Sequence, residues 1–123
     1  MVETAAYPNL HVADLDSVDL GEFKPKPTSL TGDVQERSKV LWASPDGTVS
    51  IGLWECTPGT FAATRDGYSE VAHITAGRFT LTTPDGVTTT HGPGDLVVTN
   101  DGWRGTWDVS EAVRKVWVIQ RPG

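Results

Sequence analysis

Glu70, Lys115 and Tyr68 are the side chains in this sequence best suited to hold or act on a small polar molecule, with Trp54, Arg65, Trp103 and Trp107 able to wall a site around them. A carboxylate, an ammonium, a phenol and several indoles suit an amide, an amino acid or a hydroxy acid. Glu70 would serve as a general base if burial lifted its pKa toward neutrality, and Lys115 could instead hold a substrate carboxylate. The other reactive residue types are less well placed. Cys56 shares a strand face with Trp54 and has no neighbouring base, which points to a buried structural thiol. Strand alternation sets Glu70, Ala72 and Ile74 on one face and Val71, His73 and Thr75 on the other, so His73 points away from Glu70. His91 sits at a glycine turn and His11 in an irregular segment; lone histidines without clustered donors are rarely metal ligands. No nucleophile elbow, phosphate-cradling glycine loop or paired-carboxylate motif is present.

Short β-rich runs must position these residues. From Lys39 onward, runs of this kind alternate with turn signals at intervals of roughly 8 to 12 residues. Lys39–Ser44 leads into Pro45-Asp46-Gly47, whose glycine supplies the positive φ of a hairpin, and Thr48–Cys56 returns. Further strands are expected over Phe61–Arg65, Ser69–Thr75, Arg78–Thr83, Val87–His91, Asp95–Thr99, Arg104–Val109 and Ala112–Gln120. Gly59, Gly77 and Gly94 read as turn residues. On the last strand Val113, Lys115 and Trp117 share a face, as do Trp103, Gly105 and Trp107 just before it. No window carries the 3.6-residue period of an amphipathic helix, and about nine short antiparallel strands must close or double up to protect their edges. The expected fold class is all-β, a barrel or jelly roll. Residues 1–35, with Pro8, Pro25, Pro27 and Gly32, read as an irregular, extended N-terminal arm, and residues 36–123 as the barrel.

The bulk properties narrow the partners. With 123 residues the chain is one domain's length. A net charge of −6 and scattered Lys and Arg argue against nucleic acid. No apolar run approaches the roughly 20 residues of a membrane span. Met1–Ala6 lacks the basic and apolar regions of a secretory signal, and a single cysteine suits a reducing compartment, so the expected location is cytoplasmic. An exposed sheet edge and a proline-rich arm favour a homodimer.

Two stretches resemble the paired motifs of the cupins. Gly59-Thr-Phe-Ala-Ala-Thr-Arg-Asp-Gly-Tyr-Ser-Glu-Val-Ala-His-Ile-Thr-Ala-Gly77 is similar to the first motif, in which a glutamate follows a His-x-His pair and a glycine comes seven residues later; Glu70 and Gly77 keep that spacing. Gly92-Pro-Gly-Asp-Leu-Val-Val98 resembles the second. Gly52–Gly59, Gly102–Trp107 and Val113–Val116 resemble, more narrowly, the small cupins of the ethanolamine-utilisation and ureidoglycine-aminohydrolase-like group. The resemblance implies a cupin-type double-stranded β-helix with Glu70 facing its interior.

The resemblance also implies a metal held by three histidines and the glutamate, and here this sequence departs from it. Arg65, Asp66 and Gly67 occupy the His-x-His region, and the later histidine falls at about Val97. One carboxylate is a poor transition-metal site, so no metal or other cofactor is expected there. An inward Glu70 then needs a positive partner, Lys115 before Arg65, with Trp103 and Trp107 walling the pocket. The alternative is a solvated Lys115 and tryptophans in ordinary core or dimer packing. Three functions follow: a metal-free small-molecule-binding cupin, a metal-independent isomerase or hydrolase of a small polar metabolite using Glu70 with Lys115 or Tyr68, or a structural dimerisation module.

Overall fold

The computed structural model describes residues 10–123, so Met1–Ala6 and Pro8 lie outside the described residues. Among the described residues nine strands follow a 3₁₀ turn at Leu15–Ser17: β1 Lys24–Pro25, β2 Ser29–Thr31, β3 Gln35–Ala43, β4 Val49–Cys56, β5 Gly59–Thr64, β6 Ser69–Thr82, β7 Thr88–His91, β8 Leu96–Thr99 and β9 Arg104–Gln120. All pairings are antiparallel. This is the all-β barrel that the turn rhythm predicts.

The long strands β6 and β9 each run through both walls of the barrel. Ser69–Ile74 pairs with Gln120–Lys115, and Phe79–Thr82 pairs with Val109–Thr106. One wall therefore reads β1-β3-β4-β9-β6-β8 through the later half of β9, and the other β2-β5-β9-β6-β7 through its earlier half. Each of these strands is expected from sequence as two, broken at Ala76-Gly77 and Ser110-Glu111. The chain stays paired across both breaks because the extra residues are absorbed as bulges, with register shifts at Ile74–Phe79. Hydroxyls patch the interrupted ladder: Thr75 Oγ1 donates to the Arg114 carbonyl and Ser110 Oγ to that of Arg78.

The arm adds to both walls. β1 pairs with β3 and β2 with β5, so part of the segment expected to be irregular is built into the barrel's walls instead. Earlier in the arm, the outer-face row Arg37–Glu55–Arg114 holds the chain by its backbone. Glu55 accepts from both arginines, Arg114 Nη2 donates to the carbonyls of Leu15 and Val18, and Arg37 Nη1 donates to that of Gly21. Burial alone would raise the Glu55 pKa, but the two arginines outweigh it and hold the carboxyl below its usual value.

Inside, alternating residues form one core: Cys56, Phe61, Ala72, Ile74, Phe79, Leu81, Val97, Trp107, Val109 and Val113, with Val34 from the arm. Trp107 stacks on Phe79 at 4.3 Å and on Phe61 at 5.5 Å, arrangements that add to the area they bury. Cys56 is buried, and burial pushes its thiol up to about 12, so it stays an inert structural thiol. Among the described residues no helix is long and apolar enough to cross a membrane.

Candidate functional site

The core leaves one part of the barrel unfilled. A cavity of about 240 Å³ opens there, bounded by the first half of β6, the second half of β9, β4 and the end of β5. Glu70, near the start of β6, faces into it and is 7% exposed. Lys115 stands opposite Trp54 of β4 and Ile74 of β6 and is 4% exposed. Arg65 follows β5 in a tight turn, its N–H donating to the Trp103 carbonyl and its own carbonyl accepting from Gly102. Backbone pairing therefore delivers all three charges to one place.

The three side chains form a single buried cluster. Glu70 Oε1 accepts from Lys115 Nζ at 2.7 Å and from Arg65 Nη2 at 3.3 Å. Arg65 Nε donates to Thr99 Oγ1 at 3.0 Å, at the end of β8 directly across from Glu70. Lys115 Nζ also lies 4.6 Å from the Trp54 ring centroid and 4.7 Å from that of Trp107. Two indole faces and a carboxylate thus surround one ammonium.

The electrostatics follow from two cations sharing one anion. Burial alone would raise the Glu70 pKa, yet the charges of Lys115 and Arg65, with their hydrogen bonds, hold it below its usual value. Burial pushes Lys115 down; Glu70 opposes that push and the Arg65 charge adds to it. The condition under which Glu70 would act as a general base near neutral pH is therefore not met.

Of the residues singled out from sequence, Glu70, Lys115, Arg65, Tyr68, Trp54 and Trp107 all line the cavity. Both Lys115 and Arg65 reach Glu70. Tyr68 donates its hydroxyl to the Thr64 carbonyl at 3.2 Å. Trp103 does not line the cavity: it packs over Gly105, where a Cβ would come within 2.8 Å of its ring, and its ring centroid is 5.9 Å from the Arg65 guanidinium. It stands behind Arg65 rather than in the cavity wall. Sequence reasoning missed Lys26, Ser38 and Phe61 as lining residues. Lys26 comes from the arm, pairs with Glu36 at 3.0 Å and sits 4.7 Å from the Phe61 ring centroid. Lys24-Pro25-Lys26-Pro27 was the only signal for it, since two prolines fix where that lysine can go.

His73 is exposed and His91 bonds Thr89, away from this cavity. Among the described residues no group of three or more His, Cys, Asp or Glu could hold a metal ion. The donor chemistry at Glu70 does not fit one either, because its bonded oxygen already faces an ammonium and a guanidinium, and Val97 is packed into the core.

An antiparallel barrel of two walls, with a pocket lined by the motif glutamate Glu70, defines this chain as a cupin. Its family is the EutQ-like cupin domain, which matches residues 43–117, and the chain belongs to it. Solved structures agree. A protein of unknown function from Pseudomonas syringae pv. tomato is 25% identical with a TM-score of 0.69, over 82% of this chain and 45% of that one. This chain therefore spans less than half the length of that relative. The EutQ protein of Clostridium difficile is 19% identical with a TM-score of 0.69, over 88% of this chain and 84% of that one. A Thermotoga maritima member of the same family as the Pseudomonas protein is 34% identical with a TM-score of 0.51, over 53% of this chain and 73% of that one. No curated protein matches the chain.

Proposed function

We propose that this cupin binds a small polar metabolite in its barrel without the usual metal triad. The observation that carries the reading is the Arg65–Glu70–Lys115 cluster, buried yet bordering an open cavity walled by Trp54, Phe61, Trp107 and Trp117. Burying three charges against aromatic rings stabilises a fold poorly, since hydrophobic residues of similar volume would do as well or better. A ligand gives such a cluster a use. Binding is favoured over catalysis by Glu70, because a carboxylate held below its usual pKa is a weak base near neutral pH.

A thermal-shift screen of polar metabolites tests this. A true ligand at a hundred times its Kd is expected to stabilise the protein by about 2.7 kcal/mol. The effect is expected to shrink in Lys115→Met, which keeps the Arg65–Glu70 pair. Compounds that stabilise both proteins equally would remove the cluster from the reading.

The protein also acts as a homodimer in this reading. Across the outer face of one wall the register sets Trp42, Ile51, Val118, Val71 and Val98 in one row. Trp42 is 39% exposed, Val71 36% and Val98 51%, and neighbouring Leu96 is 67% exposed on the edge strand β8. An apolar row on a sheet face is self-complementary about a two-fold axis, so a second copy can cover it. Sedimentation equilibrium should give twice the chain mass, and Val71→Asp half of that; a wild-type monomer at micromolar concentration ends the idea. The lone, buried Cys56 suits the reducing cytoplasm that the reading assumes.

A further inference from the structure

We infer that the ligand is a small organic monoanion, a carboxylate carried on an apolar or aromatic body. The inference rests on the binding reading above and deepens it. Four charged side chains line the cavity: Lys26, Arg65, Lys115 and Glu70. Lys26 is neutralised by Glu36, whose Oε1 also accepts from Trp54 Nε1 at 2.9 Å. The buried remainder is two cations against one anion, a surplus of one positive charge inside a protein whose net charge is −6. A buried charge without a counter-charge is costly, and a monoanion cancels this one.

A second observation points the same way. Trp107 is 1% exposed and lines the cavity, and its indole N–H is the one buried side-chain polar group without a hydrogen-bond partner among the described residues. Buried donors of this kind are rare and call for an acceptor. A carboxylate oxygen is an acceptor only, and a second oxygen remains for the Lys115 ammonium, which spends one hydrogen bond on Glu70. Glu70 Oε2 carries no hydrogen bond from the described residues, which leaves room for a donor on the ligand such as a hydroxyl. The five aromatic rings that line it favour an organic body over a bare inorganic ion. The volume of about 240 Å³ equals roughly eight waters at about 30 Å³ each, which sets the scale at a metabolite rather than a nucleotide.

Isothermal titration of the full chain with three compounds of one shape tests the charge. Mandelate, mandelamide and 2-amino-1-phenylethanol share a ring and a hydroxyl and carry −1, 0 and +1. Mandelate is expected to bind at least tenfold tighter than either of the others. Lys115→Met is expected to abolish that preference, with Arg65→Gln as the second variant should the first not fold. Sodium chloride at matched ionic strength against sodium gluconate separates an inorganic anion from an organic one. Equal or tighter binding of the amide or amine overturns the monoanion but leaves the pocket as a binding site. Displacement of mandelate by chloride at equal affinity overturns the organic body. Failure of all three compounds to bind up to millimolar concentration overturns both this inference and the binding reading.

Discussion

Replacing Glu70 by Gln is expected to cost about 3–5 kcal/mol at pH 7, the range for removing one partner from a buried ion pair. The side chains are nearly isosteric, so packing is kept and only the charge is lost. Lys115 and Arg65, 4% and 7% exposed, would then face each other with no anion between them. Urea unfolding checks this: the midpoint should fall with little change in slope. The pH dependence gives a second, independent reading. Glu70 lies below its ordinary value of 4.5, so its contribution is complete above that pH and is lost as pH falls through the lowered folded value. Glu70→Gln should lack this acid-sensitive part. Lys115 also lies below its ordinary value of 10.5, so the folded state sheds its proton first and stability rises with pH through that window. Without Glu70 the lysine should discharge at still lower pH, and the deficit of the variant should narrow as pH rises. A loss under about 1 kcal/mol at pH 7 would mean that the three charges do not act as one cluster.

The parts of this molecule that could be read from sequence are those set by local chemistry. Pro45-Asp46-Gly47 predicts a hairpin, and β3 and β4 meet there, with Gly47 at φ +74° and Asp46 lowered to about 2 by hydrogen bonds from Ser44 and Thr48. Alternation alone predicts that Lys115 and Trp117 share one face of the last strand, and both border the cavity. The parts that could not be read depend on distant pairings. Ala76-Gly77 and Ser110-Glu111 each look like the end of a strand, because nothing local reveals that each lies where the other strand bulges. Trp103 looks like a wall of the pocket for a related reason: counting residues back from Trp107 assumes a continuous strand, whereas β9 begins at Arg104. Trp103 lies in the turn before it, its N–H donating to the Asn100 carbonyl. Lys26 reaches the cavity only because β1 joins β3, a pairing of two residues that leaves almost no periodicity to detect.

Gly77→Ala is expected to cost about 4 kcal/mol, against about 2 for Gly94→Ala, strain and overpacking each contributing roughly 1–3. Both glycines have φ +92°, so the backbone strain of adding a side chain is matched. Their surroundings are not. A Cβ at Gly94 meets nothing within 4 Å, whereas at Gly77 it lies 2.3 Å from the Ala112 carbonyl oxygen and 2.7 Å from the Val113 Cα, backbone atoms that cannot swing aside. The difference between the two variants in urea unfolding therefore isolates the contact between the β6 and β9 bulges, and equal losses would show that this contact is not tight. The position matters for function because of what lies beyond it. Glu70 is carried by the part of β6 before Gly77, and Lys115 by the part of β9 after Ala112, two pairs from Val113 in the ladder with β4. Pushing the two strands apart at the bulge moves the anion and its cation on separate supports. Gly77→Ala should therefore weaken ligand binding as well as stability, while Gly94→Ala, in a turn outside the cavity lining, should lower stability and leave Kd within about twofold, a change under 0.5 kcal/mol.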